Sequence, residues 1–256
     1  MRLWIDTDVG TDPDDAVALL CAAAHPRVDL VGVSTVNGDT EWRSEVARTL
    51  VDAPVVAGDN LIPTHIGRTE PEALLAIGPL TNVARLLASG VVPSRLGVMG
   101  GLLRPVRHRG AVREIEHNFG TEPEAARLVI QHAPGILLCP LDVTVRMRPS
   151  GDNLERMVDA APVLGPMFDD WVARQRAANV PGDEAAVRLH DPLALLALVD
   201  ESLVAIGRRA VTVDDEGRLH EDPGRGRVID VVTDVNVADA ITRIVALVAQ
   251  STRRDR

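Results

Sequence analysis

Short β-branched and apolar runs alternate along the chain with segments whose apolar residues recur every three to four positions. Residues 3–5 read as a strand, 15–24 as a helix, 30–36 as a strand and 41–50 as a helix. An apolar pair at 55–56 follows, then strands at 74–77, 96–99 and 136–138, with helices opening at Leu80 and Glu122 between them. In the first of these helices Leu80, Val83, Ala84, Leu87 and Ala88 share one face, and Gly90 closes it. Residues 151–179 are strand-poor and more polar, and they predict helices laid over a sheet edge or over a site. Apolar runs at 211–213 and 227–232 around the turn Asp214-Asp215-Glu216-Gly217 predict a late hairpin. A last helix presents Val237, Ala240, Ile241, Ile244, Val245 and Val248 on one face. Repeated strand-then-helix units imply an α/β fold: an open, mostly parallel sheet with helices on both faces. No repeat or low-complexity linker interrupts residues 1–256, so one domain is expected.

Composition narrows the partners. The chain has 256 residues, 46% of them hydrophobic, which is enough apolar surface for a core and excludes whole-chain disorder. A formal charge of -10 would repel a phosphate backbone, and three Trp with two Phe leave little to stack bases on, so no nucleic acid is expected. Two cysteines and no tyrosine offer neither a disulfide framework nor a thiolate zinc cage. The longest apolar runs, such as 16–24, are about half the roughly 20 residues a membrane span needs, so no membrane partner is expected. The first six residues reach an acid without a signal-like apolar stretch, and a cytoplasmic location is expected.

In a parallel sheet, ligands bind beyond the carboxyl ends of the strands. The first strand runs into Asp6-Thr7-Asp8-Val9-Gly10-Thr11-Asp12-Pro13-Asp14-Asp15, five carboxylates in ten residues. Such a loop repels itself unless a cation sits among its oxygens, and hard oxygen donors suit calcium or magnesium. Helix capping by Asp14 and Asp15 explains two of the five. The loop is not an EF-hand, because Thr11 and Val17 stand where that motif needs Gly and Glu. Taken alone, Asp191 in His190-Asp191-Pro192 reads as a helix cap, His190 as a structural histidine, and Asn118 as a turn residue.

Together these segments resemble the nucleoside hydrolase family, the inosine-uridine-preferring nucleoside N-ribohydrolases. The resemblance rests on IDTDVGTDPDDAVAL (5–19), VSTVNGD (33–39), AIGPLTNVA (76–84), VMGG (98–101), EHNFGTEPEAA (116–126), PLDVT (140–144) and HDPLAL (190–195), in the family's order. It implies a nucleoside-hydrolase-like fold, a Ca²⁺ at the top of the first strand, and hydrolysis of the N-glycosidic bond of ribonucleosides to ribose and free base, a salvage reaction. By position, Asp8 would be a metal ligand and the base that takes a proton from the attacking water. Asp15, Asp191 and the Ile77 carbonyl would complete the metal set. Asp14 would bind a ribose hydroxyl, and Asn118, Glu116 and the Met99 region would grip the sugar. His190 would lie near the leaving base as general acid, and the subunits would form dimers or tetramers.

The chain departs from the family's pattern in places. Its first motif is two residues longer and gains Asp12, which could displace a ligand. Asp39 replaces the family's Asn among the substrate contacts, and the stretch between 58 and 74 is short. The Asn common before Glu-x-Asn is absent, with Gly110 and Arg113 nearby. A phosphatase using Asp6-Thr7-Asp8-Val9-Gly10-Thr11 as a nucleophile loop would need a lysine, and the chain has none. A phosphorylase would have to bring phosphate into a pocket lined by carboxylates. A non-catalytic ribose or nucleoside binder on the same fold stays open as the alternative.

Overall fold

The computed structural model describes residues 1–58, 62–91 and 94–251. Its first half comprises β1 (Arg2–Thr7), α1 (Pro13–Ala24), β2 (Asp29–Thr35), α2 (Thr40–Arg48), β3 (Val55–Val56), α3 (Ile62–Thr69), β4 (Ala73–Ala76), α4 (Thr81–Ser89) and β5 (Arg95–Met99). A hairpin of β6 (Val106–His108) and β7 (Ala111–Arg113) follows, then α5 (His117–Thr121), α6 (Pro123–His132), β8 (Ile136–Cys139) and α7 (Leu141–Thr144). The chain continues with α8 (Gly151–Ala160), α9 (Leu164–Ala177), α10 (His190–Val199), β9 (Val204–Val213), β10 (Leu219–Glu221), β11 (Arg227–Val235) and α11 (Val237–Ser251). Of the short stretch between Gly58 and Leu74, residues 59–61 lie outside the described residues.

Among the described residues, nine strands form one sheet in the order β10-β9-β11-β8-β5-β4-β1-β2-β3. From β3 to β11 the pairing is parallel, and β9 runs antiparallel to both its neighbours. The chain winds outward from β1 to β3, returns to β4 on β1's other side, and winds the opposite way. Between β1 and β4 the strand order reverses, and the loops there splay apart to leave a crevice.

Strand side chains alternate between two apolar layers. Leu3, Ile5 and Leu75 face α1, α10 and α11, while Trp4, Leu74, Leu96 and Val98 face α3, α4 and α6. Helix α1 is apolar on nearly every side because it is buried on nearly every side, between the sheet, α10 and α11. Cys21 and Cys139 are buried free thiols, and burial pushes both of their pKa values up. No helix among the described residues is long and apolar enough to cross a membrane.

The late hairpin differs from expectation. The turn at 214–217 leads into β10, and β11 pairs with the other side of β9. Asp214 causes the early return: its carboxylate accepts the Glu216 and Arg218 N–H groups, closing the turn at once.

Candidate active site

The crevice is floored by the loop after β1. Asp6 faces the α4 side, where Ser34 Oγ (2.5 Å) and Asn82 Nδ2 (2.8 Å) donate to its Oδ1. Burial raises its pKa to about 7. Two residues on, Asp8 accepts a hydrogen bond from Asn37 Nδ2 at 3.2 Å. Buried Arg43 reaches up from α2 and donates to the carbonyls of Asp8, Val9 and Asn37, so one guanidinium ties the loop after β1 to the loop after β2. Two glycines permit this proximity. Gly10 has φ 119°, and a Cβ there would strike the Trp42 ring. A Cβ on Gly78 would stand 2.7 Å from Val36 Cγ1 and 3.0 Å from both the amide nitrogen and Oδ1 of Asp8.

Asp14, Asp15 and Asp191 converge from α1 and α10, with one carboxylate oxygen from each lying within 4.8 Å of the others, and all three are buried. None of the three caps its own helix. Asp12 holds the N-cap position of α1 without a side-chain bond to that helix, and Leu189 holds that of α10. Instead Asp14 Oδ2 accepts the N–H groups of His190 (3.2 Å) and Asp191 (3.4 Å), capping α10 from another helix. Thr7 Oγ1 donates to Asp15 Oδ1. Burial, reinforced by the neighbouring carboxylates, lifts the Asp14 pKa to about 7 and those of Asp15 and Asp191 well above the ordinary range. Burial likewise raises the Asp8 pKa. Three buried carboxylates in mutual repulsion, without a cationic side chain among them, form an oxygen donor set that a hard divalent cation fits.

Two walls rise from this floor around a cleft of about 640 Å³. On one, Asn118 Nδ2 donates to the carbonyls of Ile77 and Met99, both at 3.1 Å. Glu116 accepts from the N–H groups of Gly101, Asn118 and Phe119, which makes it the N-cap of α5. On the other wall His190 Nδ1 is 2.8 Å from Thr144 Oγ1, and His108 stands edge-on to the His190 ring. Burial, with His108 and Arg109 adding to it, holds the His190 pKa well below its ordinary value and keeps the ring neutral. Arg109, at the β6–β7 tip, meets Asp12 at 2.6 Å and lies over Trp171 of α9.

The cleft thus gathers Asp8, Asp14, Asp15, Ile77, Met99, Glu116, Asn118, His190 and Asp191 from distant segments. Asp39 is not among its lining residues. It is exposed and caps α2, accepting the Trp42 N–H at 3.0 Å, because Asn37 (φ 68°) and Gly38 (φ 64°) turn the chain so that Asn37 faces Asp8. Asp12, the inserted carboxylate, binds Arg109 and stands outside the triplet. Sequence reasoning passed over Asn37, Arg43, His108 and Arg109. Only Gly110, a turn signal between two short mixed segments, left a trace.

Known proteins match this chain over nearly its whole length. The inosine-uridine preferring nucleoside hydrolase family matches residues 3–73 and 70–245. A non-specific ribonucleoside hydrolase of Salmonella paratyphi B is 27% identical, with 85% of each chain covered. Two solved structures share the fold. A plant nucleoside hydrolase superposes with TM-score 0.77 at 20% identity, covering 97% of this chain and 98% of its own. An inosine-uridine preferring nucleoside hydrolase of Bacillus anthracis gives 0.76 at 22%, covering 97% and 99%. The chain belongs to the inosine-uridine preferring nucleoside hydrolase family.

Proposed function

We propose that the chain hydrolyses the N-glycosidic bond of ribonucleosides, with a calcium ion held by Asp8, Asp15, Asp191 and the Ile77 carbonyl. The observation that carries this reading is the buried convergence of Asp14, Asp15 and Asp191 beside Asp8, at the point where the sheet reverses its winding. The donors that converge there are carboxylate and carbonyl oxygens, and such donors favour calcium or magnesium over softer metals. When bound, the cation supplies Lewis acidity that makes water more acidic and orients hydroxyl groups.

The chain's own groups account for the rest. Asp8, its pKa raised by burial, accepts a proton from the attacking water, and Asn37 fixes its carboxylate for that task. Breaking the C1′–N bond builds positive charge on the ribose, and the buried carboxylates stabilise it where little water screens them. Asp14 lies within reach of a ribose hydroxyl, and Asn118, Glu116 and Met99 line the sugar side. His190, held by Thr144 through Nδ1, would give a proton to the leaving base from its imidazolium form, which burial disfavours; in its neutral form it would offer the base only a hydrogen bond.

A screen of purine and pyrimidine ribosides with calcium, read by release of reducing sugar, tests the proposal. Turnover that vanishes on chelation supports it. Calcium binding and ribose binding without any turnover would turn the assignment to a non-catalytic nucleoside binder.

A further inference from the structure

The cleft contains a cationic plane that the reading above does not use. The β6–β7 tip is a two-residue hairpin turn, His108 pairing with Ala111, with Arg109 at φ 52° and Gly110 at φ 77°. Such turns favour Asn, Asp or Gly at both central positions, so an arginine in the first is held there by its side chain. Two contacts hold it. Its Nη2 binds Asp12 Oδ2 at 2.6 Å, and Asp12 belongs to the loop that also carries Asp8. Its guanidinium carbon lies 4.4 Å from the centroid of the Trp171 ring. That ring is in turn fixed by Arg174, 5.6 Å from its centroid, which donates to the Thr11 carbonyl. Trp171 is buried and does not line the cleft, whereas Arg109 does, so the guanidinium is interposed between the indole and the cavity. Arg109 Nε is buried and has no hydrogen-bond partner among the described residues. His108 and His190 stand alongside, ring centroids 5.4 Å apart and planes at 89°.

We infer that Arg109 is the leaving-group receptor: locked at one edge by Asp12 and backed by Trp171, it presents to the planar base the guanidinium face turned away from the indole. The inference rests on the proposed hydrolysis. In that reaction the C1′–N bond breaks with its electron pair passing to the base, and the water oxygen bonds to C1′. Asp8 takes one water proton, and the departing nitrogen finally receives one, so water divides between ribose and base. Negative charge grows on the base as the bond breaks, and a fixed cation beside it is stabilising in proportion to that growth. In a protein with three Trp, two Phe and no Tyr, a guanidinium plane does what an aromatic ring does in richer sequences.

The test is calorimetric and kinetic, on calcium-loaded protein, with Arg109→Met, Arg109→Lys and Asp12→Asn. Free hypoxanthine, titrated with ribose present, should bind Arg109→Met about tenfold more weakly, while ribose alone binds within about twofold of wild type. Arg109→Lys should stay close to Arg109→Met, since charge without a plane does not stack, and Asp12→Asn should fall between Arg109→Met and wild type. On inosine, kcat/KM of Arg109→Met should fall about 100-fold, against less than about tenfold on nitrophenyl riboside, whose leaving group needs little help. Unchanged hypoxanthine binding in Arg109→Met overturns the inference and leaves the hydrolase reading intact. Parallel losses of ribose and hypoxanthine also overturn it, because Arg109 would then merely brace the Asp8 loop. Arg109-dependent hypoxanthine binding without turnover of any riboside would uphold the receptor and remove the hydrolase.

Discussion

Arg43 and Asp15 mark two ways in which one side chain sustains the site. Arg43 donates mainly to backbone carbonyls, with a long bond to Thr11 Oγ1 besides, and it fixes where Asp8 and Asn37 meet. Arg43→Met leaves buried carbonyl acceptors unpaired at a cost of about 1–3 kcal/mol. The expected outcome is a lower melting temperature and weaker calcium binding by calorimetry, with secondary structure unchanged by circular dichroism. Asp15 and Asp12 make a sharper pair. Asp15→Ala removes a member of the buried triplet and should abolish both calcium binding and activity. Asp12→Ala breaks a partly exposed ion pair, worth about 1 kcal/mol or less, and should retain the metal. Elemental analysis of the two variants decides it, and the reverse ranking would mean that the inserted residue is the ligand. The acidic loop stood out in the sequence because charge crowded into a strand-to-helix junction has few structural uses, whereas His190 and Asp191 read as structural by themselves and only the ordered resemblance singled them out. Asn37 and Arg43 were not, because their roles depend on a left-handed turn and on backbone carbonyls that no side-chain pattern reports.

Where α1 meets α10, two helix N-termini face each other across the carboxylates, and Asp14 caps the neighbouring helix. This arrangement makes stability depend on pH in an unusual direction. An ordinary paired carboxylate has a depressed pKa and stabilises as pH rises, but Asp6 and Asp14 are raised from 3.8 to about 7. Between those values these two groups bind more protons in the folded chain than in the unfolded one, so their contribution is greatest in acid and is lost as pH rises through about 7. Buried His108 and His190, with lowered pKa values, oppose this in acid, but Asp15 and Asp191 are raised as well and the carboxylates outnumber the histidines. Calcium-free protein should therefore melt at a lower temperature at pH 8 than at pH 5. Excess calcium, which favours the ionised forms, should raise the pH 8 value most and release protons on binding. A melting temperature that rises with pH in chelator would contradict this. At the element scale, the alternation of apolar strands and periodic helices located the parallel core well. The late hairpin was misjudged because β10 is three residues long and too short to announce itself beside β11. The β6–β7 hairpin escaped for the same reason, although it carries His108 and Arg109.

The whole molecule carries a formal charge of -10, and its cleft gathers carboxylates at the crossover of a doubly wound sheet. Order of motifs, not any one of them, made that cleft foreseeable, since residues as far apart as Asp8 and Asp191 meet only through the winding of the sheet. An acidic floor is hostile to a phosphate nucleophile and hospitable to water and a cation. Product analysis after incubating calcium-loaded protein with inosine and with uridine decides whether this cleft hydrolyses nucleosides. Free ribose and free base should form in equal amounts, at a rate indifferent to added phosphate, and neither should form with Asp15→Ala. Ribose 1-phosphate among the products, or intact nucleoside after incubation with protein shown to hold calcium, would contradict it.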